Sequence, residues 1–258
     1  MTFYETSIVF AFLFGLIFGS FLNVCIYRIP RKKSLIMPSS SCPHCGERIR
    51  FYDNIPLVSY LILFGKCRHC RTKIPVRYPI VELITGLLSL FLFIRYDISI
   101  YSVSIFLFSA SLVVITFIDL YHQIIPDVIS IPGMIVGLAI SFLPGHVGWL
   151  DSIIGILAGG GGLYLVAVLF EKLTGKEGMG GGDVKLLGMI GAWMGWKALP
   201  FVILFSSLLG TIVGGGALLI YRRGLQTRIP FGPFLALGAL AYLFFGDELL
   251  AWYYGILS

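Results

Sequence analysis

Long apolar runs, interrupted only by short polar segments, are the feature that most restricts how this chain can fold. Hydrophobic residues make up 57% of its 258 residues and charged residues only 12%, about half of the roughly 25% that is usual in soluble domains. An apolar run of about 20 residues crosses the hydrocarbon core of a bilayer as one helix. The sequence therefore predicts an all-α polytopic membrane protein embedded in a lipid bilayer.

Eight apolar runs fit membrane-spanning helices. They cover residues 7–27, 79–96, 101–118, 128–144, 151–170, 183–195, 199–221 and 230–246. No basic residue precedes the first run, which favours a retained span over a cleaved signal peptide. Glycine-rich stretches at 155–162 and 210–216 predict close helix packing, because small residues let two backbones approach.

The positive charges indicate the orientation in the membrane. Eleven of the nineteen Lys and Arg residues lie in the segment 28–78, and most of the others lie at 171–182 and 222–229. By the positive-inside rule these segments, together with 119–127, are cytoplasmic, and the N-terminus faces outside. The net charge of +6 belongs to loops that face lipid headgroups, so we expect no nucleic-acid partner.

Four cysteines in the segment 28–78 form two Cys-x-x-Cys pairs. They are Cys42, Cys45, Cys67 and Cys70. Each pair can present two thiolates from one tight turn, and two such turns close a tetrahedral zinc site. Two disulfides are the alternative, which a reducing cytoplasm disfavours. We expect a structural Zn²⁺ in a zinc-ribbon-like loop between the first two spans, with His44 and His69 on its surface.

Two acidic residues lie at the ends of predicted spans, where a carboxylate is costly. Asp119 ends an apolar stretch, and Asp183 follows three glycines. If packing brings them together, they would share a proton and act as general base and general acid. Helix capping is the alternative, because Asp is a common N-cap residue.

Four further residues are candidates for lining this site. Asp127 is either a helix N-cap or a site residue. Gly180 and Gly182 would let a substrate strand approach the backbone. Lys185 either pairs with a carboxylate or extends to the cytoplasmic surface. The sequence contains no His-Glu-x-x-His, no Gly-x-Ser-x-Gly and no Walker-type loop, which argues against other hydrolytic chemistries.

Seven ordered motifs across residues 19–234 resemble one known family. They are Gly19-Ser-Phe-Leu-Asn-Val-Cys-Ile-Tyr-Arg-Ile-Pro30, Pro38-Ser-Ser-Ser-Cys-Pro-His-Cys45, Tyr52-Asp-Asn-Ile-Pro-Leu-Val-Ser-Tyr60, Arg77-Tyr-Pro-Ile-Val-Glu82, Phe117-Ile-Asp119 with its Ile-Pro-Asp127 ending, Gly178-Met-Gly-Gly-Gly-Asp183-Val-Lys-Leu186 and Ile229-Pro-Phe-Gly-Pro-Phe234. Together they resemble the type IV prepilin peptidases, or prepilin leader peptidase/N-methyltransferases, which are Gly-x-Gly-Asp aspartyl proteases.

The resemblance implies a function for each part of the chain. The family's catalytic pair falls on Asp119 and Asp183, and its metal site falls on the four loop cysteines. Substrates would be prepilins and pseudopilins whose basic leader ends in Gly before a Phe. The enzyme would cut this bond on the cytoplasmic side of the membrane and then methylate the new amino group with S-adenosylmethionine. Nothing in the sequence marks a methyl-donor site, so methylation follows from the resemblance alone.

The expected organisation has three parts in the bacterial inner membrane: a first transmembrane helix at 1–27, a methyltransferase-linked zinc loop at 28–78 and an aspartyl peptidase domain at 79–258. Two other hypotheses compete with this one. The chain could be a non-catalytic scaffold whose zinc loop docks a pilus or secretion assembly, in which case the aspartates only cap helices. A small-solute transporter is disfavoured, because no pair of broken-helix repeats stands out.

Overall fold

A computed structural model describes residues 3–175, 180–221 and 230–257, which are helical or irregular apart from two isolated β-bridges. The helices are α1 (Phe3–Arg28), α2 (Val58–Ile62), α3 (Arg77–Tyr96), α4 (Ile100–His122), α5 (Asp127–Ile140), α6 (Trp149–Ile156), α7 (Gly162–Thr174), α8 (Gly181–Met194), α9 (Leu199–Tyr221) and α10 (Gly232–Leu257). A π-helical turn, Leu157–Gly161, joins α6 to α7. Two stretches of the sequence predictions lie outside the described residues. Residues 176–179 belong to the predicted cytoplasmic segment 171–182 and include the first two residues of the motif 178–186. Residues 222–229 form a predicted basic segment and include the first residue of the motif 229–234.

Five helical stretches are long and apolar enough to cross a membrane. They are Tyr4–Arg31, Arg77–Tyr96, Ile100–His122, Trp149–Thr174 and Trp196–Gly216. Large apolar side chains cover their outer faces, as at Phe10, which is 72% exposed, and Leu204, which is 71% exposed. Such a surface suits lipid rather than water. The prediction of an all-helical, multi-pass protein is confirmed. The other three predicted runs lie on α5, α8 and α10, and the count of eight crossings stays a prediction.

Glycines set the helix packing in the first of two compact units. The units are Met1–Val114 and Ile115–Ser258. In the first unit Gly15 lies against Gly86 and Gly19 against Glu82, so α1 and α3 run in opposite directions. A Cβ on Gly19 would lie only 2.7 Å from the Cα of Glu82. Small residues thus allow the close approach that helices in lipid need, since no hydrophobic effect drives them together there.

In the second unit α8 forms the centre. Its residues 186–193 are all buried, whereas a surface helix would bury only one face. Gly155 of α6 and Gly191 of α8 face each other so closely that a Cβ on either would overlap the other's backbone. The first glycine-rich stretch therefore packs as predicted. In the second stretch, a Cβ on Gly215 would meet no described atom within 4 Å.

Helices α5 and α8 run in the same direction. Gly133 lies against Met189, and Gly137, one turn later, lies against Trp193. Both helices therefore begin at the same end of the second unit. The candidate site lies at this end.

Replacing Gly191 with Ala should destabilise the second unit, because the added methyl group would overlap the backbone of Gly155. We expect a loss of about 1–3 kcal/mol in unfolding free energy, measured by denaturation in detergent micelles. Gly162→Ala is the matched control, since a Cβ there meets nothing within 4 Å and alanine favours a helix. Equal stability of the two variants would contradict close packing of α6 on α8.

Candidate active site and metal centre

Asp119 is buried near the end of α4, with 5% of its surface exposed. Its Oδ2 accepts a hydrogen bond from the backbone N–H of Gly232 at the start of α10, 3.0 Å away. One turn later Gln123 adopts a left-handed backbone, with φ of 54°, and its N–H donates to the Asp119 carbonyl. This geometry terminates a helix. The carboxylate therefore stands where α4 ends and α10 begins.

Asp183 lies in the first turn of α8, where the helix dipole favours a negative side chain. Its backbone N–H donates to the carbonyl of Gly180 at 3.1 Å, and its side chain is half-buried. The N-cap position of α8 belongs to Gly180 rather than to Asp183. Asp119 and Asp183 are close enough for their charges to interact. The structure thus brings together two acids that lie sixty-four residues apart in the sequence.

The side chain of Ile125 fills the space between the two helix starts that border this site. A Cβ on Gly182 would lie 2.8 Å from Ile125 Cβ, and a Cβ on Gly232 would lie 3.2 Å from Ile125 Cδ1. The same Cβ on Gly232 would lie 2.7 Å from Asp119 Oδ2, so only glycine leaves the carboxylate in place. Sequence reasoning assigned no role to Ile125 or Gly232. The available signals were the positions of Ile125 in the Ile-Pro-Asp127 ending and of Gly232 in the motif 229–234.

Asp127 and Lys185 form an ion pair at the edge of the site. Lys185 Nζ lies 2.7 Å from both carboxylate oxygens of Asp127, and both side chains are exposed. Such a pair contributes about 0–1 kcal/mol. Pro126 takes the N-cap position of α5, and Asp127 occupies its first turn. The pair therefore links the start of α5 to the start of α8. Gly180 is exposed, and its ideal Cβ position is 3.4 Å from Asp183 Oδ2.

The four loop cysteines converge in the first unit. Their sulfur atoms all lie within 4.8 Å of one another, and the sulfurs of Cys42 and Cys70 are 3.9 Å apart. Four sulfurs placed tetrahedrally at 2.3 Å from a zinc ion are about 3.8 Å apart, so this spacing fits a metal ion. All four are free thiols, and the exposed His44 and His69 lie outside the cluster. The predicted four-cysteine cluster is confirmed.

The two cysteine pairs lie on turns of the same shape. In each turn the N–H of the first cysteine donates to the carbonyl five residues later, at 2.9 Å. The residue after the second cysteine is left-handed in both turns: Gly46 has a φ of 74° and Arg71 a φ of 60°. Glycine adopts this conformation freely, whereas a side chain at this position costs roughly 1–2 kcal/mol. The first turn is therefore relaxed, and the second carries local strain.

Polar contacts tune the electrostatics of this loop. Hydrogen bonds from the side chain and backbone of Thr72 lower the pKa of the Cys70 thiol to about 6, which favours the metal-binding thiolate. Arg68 of the second turn donates to both carboxylate oxygens of Asp53 at 2.6 to 3.0 Å. This pairing holds the pKa of Asp53 below its usual value. It also ties the second turn to the segment that follows the first.

Comparisons with known proteins match almost the whole chain. Residues 13–96 match the Bacterial Peptidase A24 N-terminal domain, and residues 105–215 match the Type IV leader peptidase family. Three similar proteins are each named prepilin leader peptidase/N-methyltransferase. One from Aeromonas hydrophila is 41% identical over 94% of this chain and 92% of its own. One from Pseudomonas putida is 38% identical over 95% and 92%, and one from Burkholderia pseudomallei is 37% identical over 93% and 86%. No solved structure matches significantly.

Proposed function

The chain belongs to the type IV leader peptidase family, and from this premise we propose that it removes the leader of prepilins and pseudopilins with Asp119 and Asp183 as its catalytic pair. It then N-methylates the new N-terminus, the second activity in the relatives' names. The bond to be cut follows a Gly at the end of a basic leader and precedes an apolar residue, usually Phe.

One observation supports the peptidase proposal most directly: two carboxylates from distant parts of the chain interact where α4 ends and α8 begins. Among the described residues neither carboxylate has an ion-pair partner. Holding two acids together in a poorly solvated place destabilises a fold. The same arrangement separates the proton affinities of two groups, which acid–base catalysis requires.

The chemistry follows from one proton shared by the pair. The ionised carboxylate takes a proton from a water molecule, whose oxygen bonds to the carbonyl carbon of the Gly. The protonated carboxylate gives its proton to the amide nitrogen as the carbon–nitrogen bond breaks. The products are a leader with a new carboxyl group and a mature chain with a free amine. The N–H of Gly232 orients Asp119, and the exposed backbone of Gly180 is available to an extended substrate.

The proposed topology has eight crossings of the bacterial inner membrane, with the N-terminus outside and the segment 28–78 in the cytoplasm. With 14 residues, α8 is about 21 Å long, shorter than the roughly 30 Å hydrocarbon core. Since neighbouring helices surround it, its polar first turn can lie below the membrane surface. A substrate with a cytoplasmic basic leader and a membrane-embedded apolar segment would present the bond between them at this depth.

The four-cysteine loop is proposed as a structural zinc site. Between residues 29 and 76 only Ser59 and Gly65 are buried, so this segment has almost no core of its own. Four thiolates leave a zinc ion no open position for catalysis, and binding the ion supplies folding free energy instead. We assign the segment 28–78 to methyl transfer and residues 79–258 to peptide cleavage, with residues 1–27 as the first transmembrane helix.

N-Methylation needs a methyl donor of the S-adenosylmethionine type. When bound, this compound supplies a methyl group on a sulfonium sulfur. The amine lone pair would form the new carbon–nitrogen bond, the electrons of the broken carbon–sulfur bond would stay on sulfur, and the amine proton would leave to solvent. A separate family model covers residues 13–96, which supports placing this activity apart from the aspartate pair.

Asp119→Asn and Asp183→Asn should each lower prepilin cleavage by at least about 100-fold, because either change removes one of the two carboxylates that share the proton. Cleavage is followed by the mobility shift of a purified prepilin in detergent micelles. Asp151→Asn is the control, since Asp151 accepts a hydrogen bond from the Trp196 indole and an amide oxygen preserves it. Normal cleavage by both variants of the pair would leave the non-catalytic scaffold as the better hypothesis.

Gly182→Ala should lower cleavage by about tenfold to 100-fold, because the methyl group would collide with Ile125 and displace the helix start that carries Asp183. Gly181→Ala is the matched control, since a Cβ there meets nothing within 4 Å. Thermal unfolding of both variants separates a local shift from loss of fold. If the two variants cleave equally well, the packing of Ile125 on Gly182 does not position the site.

The purified protein should contain about one zinc ion per chain, measured by elemental analysis. The double variant Cys42→Ser, Cys67→Ser should lose it, because two oxygen ligands replace thiolates. Cys25→Ser should keep the metal, since Cys25 is buried in α1 outside the cluster. Four titratable thiols and no bound metal in protein kept reduced during purification would refute the zinc assignment.

A further inference from the structure

The first unit contains a cavity of about 360 Å³ between the last turns of α1 and the loop that follows. The α1 wall contributes apolar side chains, including Phe21, together with Ser20. The loop wall contributes Ser40 and Asn54, and Arg28 ends the α1 wall. Small-molecule sites are typically about 300–1,000 Å³ and mostly apolar, with a few polar groups that orient the ligand. All of its lining residues belong to the first unit, and neither candidate catalytic aspartate is among them.

We propose that this cavity binds the methyl donor, an adenosyl sulfonium compound with an amino-acid tail. The inference rests on the proposed N-methyltransferase function and assigns a site to it. A guanidinium has five N–H donors, and Arg28 uses two of its nitrogens for loop carbonyls. Its remaining N–H capacity suits the carboxylate of the amino-acid tail.

The other polar groups match the adenosine part of this ligand. The hydroxyl of Ser40 can donate and accept, as a ribose hydroxyl requires. The Ser20 hydroxyl hydrogen-bonds to the Glu82 carboxylate and can still accept a hydrogen bond from a ribose hydroxyl. The side-chain amide of Asn54 carries a donor and an acceptor side by side, which matches the edge of an adenine. Phe21 is 46% exposed and offers an aromatic face to the flat base.

The same residues hold the loop over the cavity. Arg28 Nη1 donates to the carbonyl of Ser34 at 2.8 Å and Nη2 to the carbonyl of Pro38 at 2.6 Å. The Ser40 carbonyl accepts a hydrogen bond from the N–H of Ile49 at 2.9 Å, on the backbone that leads into the first cysteine turn. The metal turn therefore fixes one rim of the cavity. This connection gives the four-cysteine loop a role in shaping a ligand site.

The position of the cavity also suits the methyl acceptor. Arg28 lies in the last turn of α1, and the basic residues 31–33 follow it, which marks the cytoplasmic membrane boundary. A mature pilin chain that keeps its apolar segment in the bilayer carries its free amine at this boundary. A donor held beside Arg28 is therefore at the level where its acceptor emerges.

Binding of S-adenosylhomocysteine to the purified full-length protein, measured by titration calorimetry in detergent micelles, tests this assignment. Ser40→Trp fills the cavity and should weaken binding by at least about tenfold. Asn54→Ala removes a polar group without adding bulk and should weaken it by about two- to tenfold. Ser41→Trp is the matched control, because Ser41 is the exposed neighbour and does not line the cavity. Prepilin cleavage and metal content of the same preparations should stay at wild-type levels.

Each outcome decides between the two proposals. Wild-type affinity in Ser40→Trp and Asn54→Ala overturns the site and leaves the proposed function intact. If the wild-type protein binds no S-adenosylhomocysteine and methylates no cleaved prepilin, the methyltransferase proposal itself fails. A phospholipid that co-purifies with the wild type and is lost from Ser40→Trp, at unchanged ligand affinity, makes the cavity a lipid site and overturns the inference. If Ser40→Trp loses its metal or its cleavage activity, the S-adenosylhomocysteine affinity of Asn54→Ala alone tests the assigned site.

Discussion

The hydrogen bond from the Gly232 N–H to the Asp119 carboxylate is the contact on which the candidate site depends, because it joins the end of α4 to the start of α10. A carboxylate buried this deeply needs a donor, and a hydrogen bond to a charged group contributes about 1.5–3 kcal/mol. The bond also restricts the sequence around it. Position 232 tolerates no Cβ beside the carboxylate, and position 182 tolerates none beside Ile125. Packing and chemistry therefore rest on the same few residues.

The membrane explains why glycine has this influence throughout the molecule. Helices in lipid gain little by hiding apolar surface from one another, so they associate through close backbone contact. The pairs Gly15–Gly86 and Gly155–Gly191 mark such contacts in the two units. They leave the large apolar side chains on the outside, facing lipid. In the second unit, the contact between Gly155 and Gly191 packs α6 against α8, whose residues 186–193 are all buried behind the first turn that carries Asp183.

The cysteine loop meets the opposite difficulty, because it is polar and lacks a core. Four converging thiols and the pair between Arg68 and Asp53 take the place of buried apolar area. Such a loop keeps its shape only while the cysteine cluster and the Arg68–Asp53 pair stay intact. The cavity between this loop and α1 is therefore shaped by the cysteine turns as well as by the helix.

Features that depend only on residues close together in the sequence could be predicted from the sequence alone. The runs 79–96 and 199–221 match α3 and α9 to within two residues, because an apolar stretch in lipid must satisfy its own backbone hydrogen bonds. The cysteine cluster was also predictable, since each Cys-x-x-Cys pair sets two sulfurs from one turn. The sequence likewise singled out Asp119 and Asp183 as acids at the ends of apolar runs. Only tertiary packing decided that their charges come close enough to interact, that Ile125 and Gly232 border the site, and that α8 is central. These outcomes depend on which helix faces touch and on the distances between them. The spacing of residues along the chain does not determine those distances.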